Sequence, residues 1–346
     1  MTEESAADTK QAMQQQAGKL LTQVAGLIGV RTIEMGLRHG LIAAIAKHPG
    51  GVAPDVLAGE TNLDPFYVEV WCRSAYAAEV LQSGDQGTYQ LAPHLDTLLL
   101  DQDSPSWIGG LFRIMVQPEL FDRFAENLSS GERIWWDQVS PAFIDGVAGT
   151  SRPFYTRLLG AGIAQVPGLA DRLEQGAHVL ELACGVGSGL TRLATAYPNS
   201  TFVALDGDTY SLDLATRSFR EAGIEDRVST IHSTFEDLDA SDEYDIVLIN
   251  VSMHECRDIE RVTGNVHRAL KPGGHFVISD FPFPAALDTL RTPPARIMTG
   301  IQFFEALIGD QLLPTQAFVD LLNAHGFKNV GSFDLAPVHA ITHGQR

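Results

Sequence analysis

The chain is 346 residues long, 45% apolar and 19% charged, the composition of a folded globule with enough length for two domains, each with its own core. Its 43 acidic side chains against 24 basic ones give a net charge of −19, which argues against a nucleic-acid or anionic-membrane surface, since either needs a basic patch. Three scattered cysteines, Cys72, Cys184 and Cys256, form no C-x-x-C pair and read as reduced thiols of a cytoplasmic protein.

At the amino terminus, residues 1–15 are polar, which predicts a disordered tail with no signal peptide. No apolar run of about 18 residues follows, so no membrane-spanning helix and no membrane partner are expected. Leu20, Leu21, Val24, Leu27 and Ile28 fall on one face of a helix, and a second helical stretch covers Thr32–Lys47. Pro54 opens a short helix, and Thr61–Pro65 opens another running to about Leu81. Ser83–Gly87 is a turn, and Thr88–Leu91 reads as one arm of a hairpin. Helices followed by a wing predict a mainly helical winged-helix domain over residues 16–103. A DNA-binding role is disfavoured, because Asp64–Leu81 would carry Asp64, Glu69 and Glu79 against Arg73 alone.

Residues 104–175 read as linking helices rich in aromatics, among them Trp107, Phe112, Phe121, Phe124, Trp135, Trp136, Phe143, Phe154 and Tyr155. Such rings are core or the lining of a flat, apolar pocket.

The last part, residues 176–346, has the densest signal. Val179–Leu182 is a short apolar strand that carries Glu181 and runs into Gly185, Gly187 and Gly189; Leu190–Tyr197 then has helical spacing. Strand, glycine loop and helix amino terminus suit a nucleotide-type cofactor. The next strand, Thr201–Leu205, ends in Asp206, a carboxylate suited to the hydroxyls of a ribose. The spacing also fits a nicotinamide dinucleotide fold. Glu181 would repel a pyrophosphate but favour a cofactor with an amino-acid end and a sulfonium. A strand with its exit loop over Arg227–Asp239 and further strands at Ile246–Ile249 and His275–Phe281 alternate with helices and predict a parallel α/β sheet. Ala269–Gly274 reads as a helix end and turn. Phe327–Leu335 and Val338–Thr342 read as two closing strands.

Glu181-x-Ala183-x-Gly185-x-Gly187 and Ala269-Leu270-Lys271-Pro272-Gly273-Gly274 resemble motifs of the class I S-adenosylmethionine-dependent methyltransferases, with Ala183 replacing a glycine. With the helical domain in front, the arrangement looks like the small-molecule O-methyltransferases of plants and of bacterial natural-product pathways. The resemblance implies a Rossmann-like seven-stranded sheet whose last strand is antiparallel, and S-adenosylmethionine as cofactor. It places Glu181, Ala183, Gly185 and Gly187 around the methionine end and ribose, and Asp206 on the ribose hydroxyls. Thr234 and Phe235 would flank the adenine, although the family more often has aspartate at the Thr234 position. Asn250 would lie by the methionine group through its backbone. A homodimer through Leu20–Lys47 is implied as well, against the alternative that these helices pack on their own catalytic domain.

His254-Glu255-x-x-Asp258 resembles the segment whose histidine is the family's general base, and an imidazole suits that work at neutral pH. The family's G-x-E-R-T glutamate has no match in Gly309–Thr315, and Cys256 stands where the family has tryptophan. Asp280, at the end of the fifth strand, is the candidate partner of His254; the alternative is a pocket-lining or capping histidine. Trp107, Phe112, Met298, Gln302, Phe303 and Leu307 are candidate contacts for a small aromatic or polyketide-like substrate. No metal site is expected. The leading reading is methyl transfer to a hydroxyl oxygen, with nitrogen and carbon not distinguished. Use of the bound cofactor for hydroxylation, decarboxylation or cyclisation is a second reading, and a cofactor-sensing regulator a third.

Overall fold

The computed structural model describes Glu3–Arg346, with side chains from Asp8 onward, and the chain divides into two compact units, Met1–Val116 and Gln117–Arg346. The first unit opens with one continuous helix, Glu3–Arg38, that ends at Gly40 in the left-handed region (φ 72°). Residues 3–15 are therefore helical rather than a disordered tail; Met1 and Thr2 lie outside the described residues. Alanine, glutamine, lysine, methionine and leucine fill this stretch, and no proline interrupts it. The helix also runs unbroken through Gly29, where two helices were expected. Nothing there forces a break, since a Cβ at Gly29 would touch only the Ala78 methyl, at 3.9 Å.

The unit's core gathers Ile42, Leu57, Val68, Trp71, Cys72 and Leu81. The Trp71 indole donates to the Thr32 carbonyl at 2.9 Å, so the one polar atom of a large buried ring is satisfied. Gly36 is required beneath that ring, because a Cβ there would lie 2.5 Å from it. The expected wing is present: β1 (Leu81–Ser83) pairs antiparallel with β2 (Tyr89–Leu91). Trp107 is buried with its indole donating to the Leu99 carbonyl at 3.0 Å, and Phe112 packs on the same core. Leu20, Leu21, Val24, Leu27 and Ile28 remain 56–68% exposed. Contrary to the sequence reading, Asp8–Arg38 is long and apolar enough, by length and composition, to cross a membrane.

The second unit is built on a seven-stranded sheet: β3 (His178–Leu182), β4 (Thr201–Asp206), β5 (Val228–His232), β6 (Tyr244–Asn250), β7 (Leu270–Asp280), β8 (Lys328–Ala336) and β9 (His339–Gln345), in the order β5-β4-β3-β6-β7-β9-β8. The strands from β3 to β7 pair in parallel, and β9 lies antiparallel between β7 and β8. Alternate residues face opposite sides: Val179, Phe202, Ala204, Ile246, Leu248 and Val277 pack on one, Leu180, Leu182, Val203, Val247, Ile249 and Phe276 on the other. Both faces are covered, which is why these strands read as continuous apolar runs. Truncating fully buried Phe276 to alanine would cost about 3–5 kcal/mol. Lys271–Gly274, expected as a turn, forms the irregular start of β7; Gly273 takes φ 76° and donates its N–H to the Arg346 carbonyl at 3.0 Å.

The chain moves outward from β3 through β4 to β5, then returns to place β6 on the other side of β3. That reversal opens a crevice at the carboxyl ends of β3 and β6, where sheets of this kind hold ligands. Parallel pairing brings the ends of β3, β4, β6 and β7 to one edge, and with them Glu181, Asp206, Asn250 and Asp280.

Candidate functional site

Glu181 is fully buried near the end of β3. The Tyr155 hydroxyl, from the helix Pro141–Arg157, donates to its Oε1, while Oε2 has no partner. Burial pushes the carboxyl up to about 8, against the opposing pull of the Tyr155 hydrogen bond. The chain then turns through Ala183 (φ 55°), Gly185 (φ 52°) and Gly187 (φ 74°), all in the left-handed region. Glycine is favoured there because a Cβ crowds the following carbonyl, and Ala183 accepts that strain.

The glycines do different work. A Cβ at Gly189 would lie 2.1 Å from the Tyr155 ring, and one at Gly187 would lie 2.8 Å from Ala215 and Phe219. Only Gly185 of the three has nothing within 4 Å. Gly187 and Gly189 thus admit neighbouring side chains, and Gly185 is the one with open space around it.

Asp206 braces the loop. Its Oδ2 accepts from the Gly185 N–H at 2.8 Å and its Oδ1 from the Asp208 N–H at 2.9 Å. Burial pushes this carboxyl up and the backbone donors hold it down, the first prevailing. Asp208 caps the helix Thr209–Glu221 by accepting from the Ser211 N–H at 2.8 Å. Thr234 is exposed and donates to Asp237 at 2.9 Å, whereas Phe235 packs partly against the core.

At the end of β6, buried Asn250 accepts a 2.5 Å hydrogen bond from the Ser279 hydroxyl at its Oδ1 and leaves Nδ2 without a partner. His254 follows in the short turn Met253–Glu255. Its Nδ1 lies 2.8 and 3.0 Å from the two carboxylate oxygens of Asp280, the partner expected from sequence. Its Nε2 faces Glu305 Oε2 at 3.6 Å, and neither atom has a hydrogen bond. Burial would lower this imidazole's pKa, but the Asp280 and Glu305 carboxylates outweigh it and hold it well above its ordinary value. Nearby, burial and then Glu305 push Glu255 well up, and the same two causes take Asp310 to about 7. His254, Glu255 and Glu305 bring ligand-type atoms within 4.8 Å of one another, close enough for a divalent ion to bridge.

Glu305 went unrecognised in the sequence. It lies on the helix Pro293–Ile308 among Met298, Phe304, Leu307 and Ile308, all buried. The usable signal was a carboxylate on the apolar face of a helix that has no other charge after Arg296.

The residues expected around a substrate are less open than predicted. Met298 is buried with Phe154, Phe281, Ala295 and Leu312. Gln302 has both ends of its amide engaged, donating to the Asp310 carbonyl at 3.2 Å and accepting from the Leu312 N–H at 2.7 Å. Phe303 packs on Phe121 and Phe124, with ring centroids 5.3 and 4.8 Å away. Leu307 is core. Trp107 and Phe112 belong to the core of the first unit. Phe304 meets Phe143 and Trp136 at 4.4 and 5.1 Å, and the Arg257 guanidinium sits 3.7 Å over the Trp135 ring.

A doubly covered parallel sheet with an acid, a glycine loop and a second acid at its switch point defines an α/β nucleotide-cofactor fold. Residues 179–274 match a family described as a methyltransferase domain. The chain is 32% identical over 158 residues to an uncharacterized methyltransferase of Synechocystis, covering 45% of this chain and 68% of that protein. It is 27% identical over 165 residues to the sterol 24-C-methyltransferase of Aspergillus fumigatus, covering 47% of this chain but only 43% of that protein's length. In structure it is similar to a candidate O-methyltransferase of Nostoc punctiforme (TM-score 0.74, 17% identity, 95% of this chain and 98% of that one). It is also similar to mitomycin 7-O-methyltransferase (TM-score 0.71, 17% identity, 98% and 99%). The chain belongs to the class I S-adenosylmethionine-dependent methyltransferases.

Proposed function

We propose that the protein transfers the methyl group of S-adenosylmethionine to a hydroxyl oxygen of a small aromatic or polyketide-like substrate, with His254 taking the hydroxyl proton. The observation that carries this reading is the buried His254, held at Nδ1 by Asp280 while Nε2 makes no hydrogen bond and faces Glu305 at the carboxyl edge of the sheet. S-adenosylmethionine supplies an electrophilic methyl on a sulfonium. The protein's part is to hold the two reactants in line, exclude water and receive one proton.

The donor fits the residues present. Glu181 Oε2 is a buried acceptor with no donor, suited to a cationic amine, and Gly185, in the loop that follows, has open space where a Cβ would stand. Each oxygen of Asp206 accepts one backbone N–H and keeps a lone pair for a ribose hydroxyl. Ala183 and Gly187 shape the turn. Phe235 would cover one face of the adenine, while Thr234, engaged with Asp237, contributes little beyond its backbone.

On the chemical side, Asp280 orients the imidazole and Glu305 raises its affinity for a proton. Use of the cofactor in a reaction other than methylation drew its support from the lack of a second carboxylate at the histidine; Glu305 removes that argument. Formation of S-adenosylhomocysteine against a panel of phenols, alcohols and amines tests the proposal. Turnover confined to amines, or none with any hydroxyl compound, would overturn it.

We also infer that the exposed Leu20, Leu21, Val24, Leu27 and Ile28 are covered by a second copy in a homodimer rather than by a membrane. An apolar row on a long helix suits a self-complementary contact. Three buried, unpaired cysteines support a reducing, cytoplasmic location.

A further inference from the structure

Two buried polar atoms at the switch point lack partners, and they are complementary: Glu181 Oε2 on β3 accepts, Asn250 Nδ2 on β6 donates. The parallel register pairs Glu181 with Leu248, so Asn250, two residues on, projects from the same face one step nearer the carboxyl edge. Ser279 pairs with Asn250 in the next strand and continues the same row. The helix Pro141–Arg157 brings Tyr155 to Glu181, and Phe154, the residue before it, packs its ring 4.4 Å from His339.

Neither orphan atom sets its own orientation. The Tyr155 hydroxyl occupies Glu181 Oε1, which leaves Oε2 as the available oxygen. The Ser279 hydroxyl donates to Asn250 Oδ1, so the NH₂ is the end of the amide left without a partner. With its proton committed there, Ser279 accepts from His339 Nε2 at 2.9 Å, which fixes the imidazole's tautomer. Burial, reinforced by Arg157, lowers that imidazole to about 3, so it stays neutral. Gly189 belongs to the same device, because any side chain there would displace the Tyr155 ring.

We propose that Tyr155, Ser279 and His339 are positioning residues that set the polarity of a two-point clamp for the donor's amino-acid end: a carboxylate oxygen at β3 for its amine and an amide N–H at β6 for its carboxylate. The clamp rests on the S-adenosylmethionine reading above.

The test compares two nucleosides that share adenine, ribose and sulfur but differ in the amino-acid end. S-adenosylhomocysteine has that end; 5′-methylthioadenosine lacks it. Calorimetry on the full chain should show the first binding more tightly. Tyr155→Phe, which keeps the ring over Gly189, and Ser279→Ala should each weaken S-adenosylhomocysteine by about fivefold to twentyfold, the effect of one misdirected hydrogen bond to a charged group. Both variants should leave 5′-methylthioadenosine unchanged. Equal losses for both nucleosides, or no loss for either, would overturn the clamp. A wild-type chain that binds neither nucleoside would instead overturn the donor reading itself.

Discussion

Glu305→Gln isolates the charge that faces the proton-accepting edge of His254. The substitution keeps the shape of the side chain and removes one negative charge 3.6 Å from Nε2. At that separation a unit charge acts on the imidazolium with about 1 kcal/mol in a water-like medium and about 5 kcal/mol at an effective dielectric constant near 20. The His254 and Glu305 side chains are 0% and 5% exposed, so the larger figure is the relevant one. The sign is fixed. His254 is held well above its ordinary pKa with the help of this carboxylate, and a general base works only when deprotonated, so wild-type kcat/KM should rise with pH through that elevated value. Without the charge, the neutral imidazole forms at lower pH and the acid limb moves toward acid. Initial rates of S-adenosylhomocysteine formation from about pH 5.5 to 9.5, with a weakly acidic hydroxyl substrate, give the two profiles. The variant should gain on the wild type as pH falls. An unmoved acid limb would refute the electrostatic coupling. A loss of about a hundredfold or more at every pH would assign proton removal to Glu305 instead.

His254→Ala should lower turnover by about 10²–10⁴-fold, and by less for substrates acidic enough to ionise unaided, as rates across a series of substituted phenols would reveal. Asp206→Ala should weaken donor binding at least about tenfold by calorimetry, since it would remove the proposed charge-assisted contacts to the ribose along with the brace on Gly185. Deleting the chain up to Lys47 should abolish dimerisation in sedimentation velocity, and a full-length chain that sediments as a monomer at micromolar concentration would end that proposal. Glu181→Gln should flatten stability against pH. A buried acid at about 8 when folded and an ordinary 4.5 when unfolded leaves stability intact below 4.5 and lowers it by up to about 5 kcal/mol as pH rises through 8. Denaturant midpoints of the ligand-free protein should therefore fall with pH in the wild type more steeply than in the variant.

What could be read from the sequence was local. The sheet strands follow from apolar runs bounded by turns, and the glycine loop from three glycines beside a buried acid. Even the His254–Asp280 pair was accessible, because Asp280 ends β7 and His254 follows the end of the neighbouring β6 by four residues. Contacts set by packing were not accessible. Tyr155 reaches Glu181 across 26 residues of sequence, and periodicity says nothing about which aromatic of a helix finds a carboxylate. Glu305 occupies a core position of its helix, where the pattern predicts an apolar side chain. Gln302 read as a pocket residue because it is polar in an apolar helix, yet its amide holds the segment from Asp310 to Leu312. The amino-terminal helix was misread for the opposite reason: its first turns are polar all round, so no amphipathic stripe marks them, while residue propensity alone carries the helix on.

The distribution of unsatisfied groups connects the fold to its chemistry. Glu181 Oε2, Asn250 Nδ2, His254 Nε2, Glu305 Oε2, Asp310 Oδ2 and His339 Nδ1 are all buried side-chain atoms without a hydrogen bond. Each such group costs about 1–3 kcal/mol relative to a satisfied one. Native interiors leave few of them, so these six, gathered around the carboxyl edge of one sheet, need a physical reason. Scattered packing defects would not alternate in character as these do: an acceptor on β3, a donor on β6, then an imidazole facing a carboxylate just beyond. On the proposed function, a zwitterionic donor and a hydroxyl substrate together would supply the missing counterparts to the first four. The cost of the ligand-free site would then be relieved only when both reactants are present, so part of the binding free energy would come from groups the fold itself leaves unsatisfied.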